Sequence, residues 1–242
     1  MAKGQILFFL PAIFGLLLAG SSELEYGGVQ SGNATYYTMA DGTGNCSFDA
    51  LPEPQYVGAL NNIDYNTPEI DGIRYPNATL CGAYARVTGR KGTVTIKIVD
   101  RCPDAICTKG HIDLSPEAFA AVDDLIHGYV PITWQLISPP IAGPISFRYK
   151  DGSSQWWTAI QVLNHRNPVA KLEFLQDGSW NELERMQYNY FIASSGLGVG
   201  YHTFRVTDIF GNRIEETSTV YLDGHRPDKV SWQGQGQFPA PR

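Results

Sequence analysis

Thr93-Val94-Thr95-Ile96-Lys97-Ile98-Val99-Asp100-Arg101-Cys102-Pro103, followed by His111-Ile112-Asp113-Leu114-Ser115-Pro116-Glu117, is the stretch that decides the fold. Val94, Ile96 and Ile98 alternate with Thr95 and Lys97, the two-residue period of a strand with one buried face. The run ends on a carboxylate, Asp100. A second carboxylate, Asp113, interrupts the apolar pair Ile112 and Leu114. Ser115-Pro116-Glu117 then reads as a helix start: Ser115 caps it, Pro116 suits its first position, and Phe119, Val122 and Leu125 supply an apolar face. A carboxyl group half-buried among apolar side chains keeps its proton to higher pH and can act as a general acid. An aspartate just before a helix can also do no more than hydrogen-bond its N-terminus. The residues alone leave both readings open.

Outward from this stretch, Ala34–Thr38, Ala83–Thr88 and Ile132–Ile137 also read as strands, with a turn over Gly89–Gly92. Residues 24–138 thus carry a small β-barrel pattern with one helix. Pro139, Pro140 and Pro144 make residues 139–144 a short, stiff linker. Beyond it, strand patterns recur at Ile145–Lys150, Trp156–Val162, Val169–Leu175, Trp180–Met186, Tyr201–Thr207 and Ile214–Val220, with turns at Asp151-Gly152, Asp177-Gly178 and Phe210-Gly211-Asn212. Residues 145–222 without a helical stretch read as a β-sandwich. Residues 223–242, rich in Gly, Pro and Gln, are expected to be disordered. Trp134 alternates with Ile132 and Leu136 and is expected in the barrel core. Trp180 is expected to pack rather than to contact ligand. Histidines, His111 and His165 included, are read as structural or solvated.

The N-terminus carries Lys3, an apolar run from Ile6 to Leu18 and the small residues Ala19-Gly20-Ser21, the pattern of a signal peptide over 1–21. It is short for a membrane span, so the expectation is a secreted, extracellular protein, free of the membrane after cleavage. Export makes the four cysteines informative. Cys102 and Cys107 enclose a short loop and are expected to pair locally, leaving Cys46 with Cys81. Their spacing matches no common zinc pattern, and no metal or other cofactor is expected. The formal net charge is −6, all of it accumulated before Pro140. That balance disfavours nucleic acid and polyanions as partners and favours a neutral polymer. Nothing in the sequence calls for more than a monomer.

Three segments carry a resemblance to a known family: Asn33-Ala34-Thr35-Tyr36-Tyr37, Val99-Asp100-Arg101-Cys102-Pro103 and Ile112-Asp113-Leu114-Ser115. The second half adds Tyr149-Lys150-Asp151-Gly152-Ser153-Ser154-Gln155-Trp156-Trp157, Ala159-Ile160-Gln161-Val162, Asn164-His165 and Met186-Gln187-Tyr188-Asn189. The chain resembles the expansins, in particular the bacterial expansin-like proteins, over nearly everything between the leader and the tail. The resemblance implies an all-β protein: a six-stranded double-psi β-barrel with a short helix, then an immunoglobulin-like β-sandwich acting as a carbohydrate-binding module. It implies that Asp113 is the essential aspartate, with Asp100 and Thr35 as its groove partners. Trp156, Trp157 and Tyr188 become an aromatic platform for cellulose, with Lys150 beside it. Where some bacterial members have a tyrosine, this chain has Cys102, so Tyr36 or Tyr37 is expected to supply the groove aromatic.

Flat aromatic rings stack on the apolar faces of sugars, which suits a flat glucan surface. Adjacent strand residues point to opposite faces, however, so Trp156 and Trp157 share a surface only if the backbone bends there. The resulting expectation is a non-hydrolytic protein that binds cellulose and other neutral cell-wall glucans and loosens plant-type walls. Two alternatives stand beside it. One is a weakly active glycan-cleaving enzyme, an endoglucanase or lytic transglycosylase with Asp113 as its acid. The other is a pure binding protein in which the barrel is a spacer.

Overall fold

The computed structural model describes residues 23–38, 40–52, 55–224 and 230–241. The leader read over 1–21 lies outside the described residues. Among those described, no helix is long and apolar enough to cross a membrane.

The first half closes a barrel from six strands: β1 (Leu24–Tyr36), β2 (Val57–Asn61), β5 (Tyr84–Thr88), β6 (Thr93–Cys102), β7 (Ile112–Leu114) and β8 (Val130–Ser138). A two-residue pair, β3 (Glu69–Ile70) with β4 (Ile73–Arg74), stands apart. The order around the barrel is β1-β7-β2-β6-β5-β8, and β8 returns to β1. β1 runs parallel to β7, and β2 parallel to β6, the crossed pairings of a double-psi barrel. Val87, Ile96, Ile98, Ile112, Leu114 and Trp134 fill the interior.

Two short helices pack against the barrel. α1 (Asn62–Asn66) was not anticipated; the Asn61 side chain caps it by accepting from the amides of Ile63 and Asp64, both at 3.0 Å. α2 (Pro116–Val122) is the expected helix, with Ser115 Oγ accepting from Ala118 N and Pro116 in its first turn. Phe119 and Val122 are buried, but Leu125 falls in a separate 3-10 turn and is exposed.

The second half is a two-sheet sandwich. One sheet contains β9 (Ser146–Tyr149), β10 (Thr158–Leu163), β13 (Glu184–Arg185), β14 (Phe191–Ala193) and β17 (Ser231–Gln233), in the order β13-β14-β10-β9-β17. The other contains β11 (Val169–Gln176), β12 (Ser179–Glu182), β15 (Thr203–Asp208) and β16 (Arg213–Thr217), in the order β12-β11-β15-β16. Asp177 and Gly178, at φ 50° and 77°, make the expected hairpin turn between β11 and β12.

The tail corrects the sequence reading. Residues 225–229 lie outside the described residues, but 230–241 are ordered against the sandwich rather than disordered. β17 pairs with β9, and Trp232 stacks on Phe147 with ring centroids 5.2 Å apart. Trp232 and Phe238 are buried in the core. Two widely spaced aromatic anchors hold a segment whose average composition is polar, and composition is blind to such anchors. The sandwich therefore extends beyond residue 222.

Polar contacts lock the halves together. The buried Arg148 of β9 donates to Asp49 Oδ2 at 2.6 Å and to Ser47 O in the barrel. Gln161 and Asn189 both donate to Cys46 O, at 2.7 and 3.3 Å. The 44–49 loop that receives these bonds is itself pinned by the Cys46–Cys81 disulfide.

Candidate functional site

Strand register builds a row of side chains across the barrel. Thr35 on β1 pairs with Asp113 on β7; Asp113 pairs with Ala59 on β2; Ala59 pairs with Asp100 on β6. Directly opposed residues in neighbouring strands project to the same face. Thr35, Asp113, Ala59 and Asp100 therefore line one row across four strands, with the small Ala59 as the floor between two carboxylates. Two strand spacings put the aspartate backbones roughly 10 Å apart.

The carboxylates have different surroundings. Asp113 is half-buried and accepts a 2.5 Å hydrogen bond from Thr35 Oγ1. Burial raises its pKa; the Thr35 bond works against the rise, while the charges of Asp104 and Asp100 add to it. Asp100 Oδ1 instead accepts two backbone N–H bonds, from Asn45 at 2.6 Å and from Arg101 at 2.7 Å. Gly44 (φ 150°) allows this approach, because a Cβ there would collide with the Asp100 carboxyl.

His111 stands behind Thr35, fully buried, with Nε2 2.9 Å from Thr35 Oγ1. Since Thr35 donates to Asp113, it accepts from His111 Nε2–H. Burial pushes the imidazole pKa down and favours this neutral form. The result is a chain of hydrogen bonds, His111 to Thr35 to Asp113. Reading the sequence missed His111 because the contact is made between strands, and only its place two residues before Asp113 pointed to it.

Tyr37 lies against this row. It packs with Ala59 and the two sulfur residues Cys102 and Cys107, which are disulfide-bonded to each other. Its hydroxyl is buried without a hydrogen-bond partner among the described residues. Burial first, then the charges of Asp100, Asp113 and Asp41, raise its pKa. Tyr36 is a correction to the expected groove set. It turns away and packs on Phe119, centroids 5.0 Å apart, because neighbouring strand residues face opposite ways.

In the sandwich, the adjacent tryptophans sit at a tight turn. Ser154 N donates to Trp157 O at 2.7 Å, and Trp157 N to Ser154 O at 3.3 Å, with Gln155 and Trp156 at the corner. Trp156 stands at the tip, 66% exposed, whereas Trp157 enters β10 half-buried. Tyr188 is half-buried and lies 5.9 Å from Tyr190. Lys150 Nζ sits 5.8 Å above the Tyr190 ring, so the lysine reaches Tyr188's neighbour. Trp180 lies beneath Arg205, whose Cζ is 4.3 Å from its ring centre.

Groove and sandwich meet at Asn45 and Tyr65. Asn45 Nδ2 donates to Tyr65 Oη at 2.8 Å and to Gln187 O at 2.9 Å, and Tyr65 Oη donates to Gln187 O at 2.6 Å. Burial pushes the Tyr65 pKa up to about 12, which keeps this phenol a donor. Elsewhere, Asp123, Asp124 and His127 cluster closely enough to share a cation, but Arg90 Nη2 already lies 2.6 Å from Asp123 and 2.7 Å from His127.

Comparison with known proteins agrees with this architecture. A family model described as "Lytic transglycolase" matches residues 66–134, the part of the barrel that contains both groove carboxylates. Expansin-YoaJ of Bacillus subtilis is 36% identical over 214 residues, covering 88% of each chain. The crystal structure of the expansin of Clavibacter michiganensis superposes with a TM-score of 0.74 at 31% identity, covering 88% of this chain and all of that one. A mutant of that expansin, in complex with cellohexaose, gives the same TM-score at 30% identity. The chain belongs to the expansin family, among the bacterial expansin-like proteins.

Proposed function

We propose that this chain is a secreted, non-hydrolytic wall-loosening protein. Its sandwich anchors to cellulose-type glucan through Trp156, Trp157 and Tyr188, and its barrel groove engages a second strand at Asp113. The observation that carries the reading is the row Thr35–Asp113–Ala59–Asp100 with Tyr37 packed against Ala59. An inverting glycosidase needs room for a water between two carboxylates roughly 6.5–9.5 Å apart. Here Tyr37 packs on Ala59, the residue between the two aspartates in the row, and Asp100 is tied down by two backbone amides. What remains is a polar row in which Asp113 has a raised pKa, suited to exchanging hydrogen bonds with sugar hydroxyls. The cellohexaose bound to a mutant of the Clavibacter relative supports a β-glucan as the ligand. The acidic barrel supports a neutral one.

One observation favours a second reading. The family model over residues 66–134 is described by a cleavage activity, and Asp113 has the raised pKa of an acid. A lytic transglycosylase needs only one such group, because a hydroxyl of the substrate is the nucleophile. Extension of wall strips under load, with reducing-end and anhydro-sugar analysis of the same samples, tests the proposal. Extension without products supports loosening; stoichiometric release of anhydro or reducing sugars that tracks extension rejects it.

A further inference from the structure

We propose that Tyr201 and Tyr221 form a second glucan-stacking contact at the end of the sandwich, continuous with Trp156; this rests on the cellulose-binding reading above. The two rings touch, centroids 5.1 Å apart at 76°, yet are 61% and 52% exposed. One ring offers its face while the other forms a wall beside it. Neither ring supports the sandwich core, so their exposure is unexplained by packing.

The backbone joins them to the proposed platform. Gly200 and Leu222, the neighbours of the two tyrosines, exchange hydrogen bonds of 2.8 and 2.9 Å. Gln155, beside Trp156, donates to Asp223 O at 3.4 Å and accepts from Gly198 N at 3.0 Å. The Trp156 indole lies over Gly224, where a Cβ would come within 3.6 Å of Cη2. Tyr221 is three residues from that glycine, at most about 11 Å of chain. Three exposed rings thus stand on segments bonded to one another.

Size and charge select the occupant. Two tyrosines exposing about half of their surface offer on the order of 250 Å², well short of the ~800 Å² that each partner of a stable protein complex buries. That area suits one sugar chain. Of the residues two positions from the rings, Val199 and Thr219 are exposed and uncharged, and Asp223 is half-buried.

The test is a depletion isotherm on microcrystalline cellulose. The double variant Tyr201→Ala, Tyr221→Ala is expected to bind about tenfold more weakly, and Tyr201→Phe with Tyr221→Phe to retain affinity. The single variants Tyr201→Ser and Tyr221→Ser, which each keep one ring, are expected to fall in between and guard against a misfolded double variant. Undiminished binding by the double alanine variant, when Trp156→Ala loses affinity, overturns this contact and leaves the platform standing. A wild-type protein that ignores cellulose overturns both. A change in oligomeric state with cellulose binding intact identifies a self-association surface instead and also overturns it.

Discussion

The side-chain amide of Asn45 lies 2.9 Å from the carbonyl oxygen of Gln187, and this bond joins the rim of the barrel groove to the chain position before Tyr188. The same residue gives its backbone N–H to Asp100. Asn45 thus ties Asp100 to the Gln187–Tyr188 segment. Asn45→Ala removes two side-chain hydrogen bonds at a part-buried site, each contributing about 1 kcal/mol. Chemical denaturation is expected to show a loss of about 1–3 kcal/mol, and wall extension to fall more than cellulose binding.

Tyr37 offers a sharper contrast. A buried hydroxyl without a partner costs about 1–3 kcal/mol, so Tyr37→Phe is expected to leave stability unchanged or raise it by about 1 kcal/mol. Tyr37→Ala strips the ring from Ala59 and the Cys102–Cys107 bridge and is expected to cost about 2–3 kcal/mol. Thermal melts of the two variants check both signs.

Stability should depend on pH in two opposite ways. The folded-state pKa of Asp113 is raised, chiefly by burial, so its contribution is full below the ordinary carboxylate value and is lost as pH rises through the raised one. Asp113→Asn removes that loss, and its Tm relative to wild type is expected to improve as pH climbs through this window. His165 has the reverse sign: burial, then the charges of Lys97 and Arg185, push its pKa from 6.5 down to about 3. Its contribution is full above 6.5 and declines as pH falls toward 3. His165→Asn, which can keep the donor to Asn167 O, is expected to flatten the acid limb of a Tm-versus-pH curve.

Aromatic contacts on the sandwich should act jointly. Replacing Trp156, Trp157 or Tyr188 singly by Ala is expected to weaken binding to insoluble cellulose by up to about tenfold, and replacing all three to abolish it. Binding isotherms on the same cellulose check this. Full affinity in the triple variant would place the glucan elsewhere.

Much of this was legible in the sequence where the signal is local. The alternation through Ile96 and Ile98, the Ser115-Pro116 helix start and the turn at Asp177-Gly178 all gave elements close to those observed. Strands with no alternation were missed. β2 is buried along its whole length, so Val57–Asn61 shows no polar face. β17 rests on Trp232 in a tail of polar composition. The groove was legible as a list, since Thr35, Asp100 and Asp113 do share one row. Its details were not. That Tyr37 rather than Tyr36 lies against it, that Asn45 holds Asp100, and that His111 backs Thr35 all follow from strand register and loop closure. Neither leaves a mark on neighbouring residues.

The most direct measurement compares Asp113→Asn with wild type in wall extension under constant load, with cellulose binding followed on the same preparations. The account expects the variant to bind cellulose as wild type does and to produce no extension. Extension at the wild-type rate by a variant without the carboxylate would contradict it.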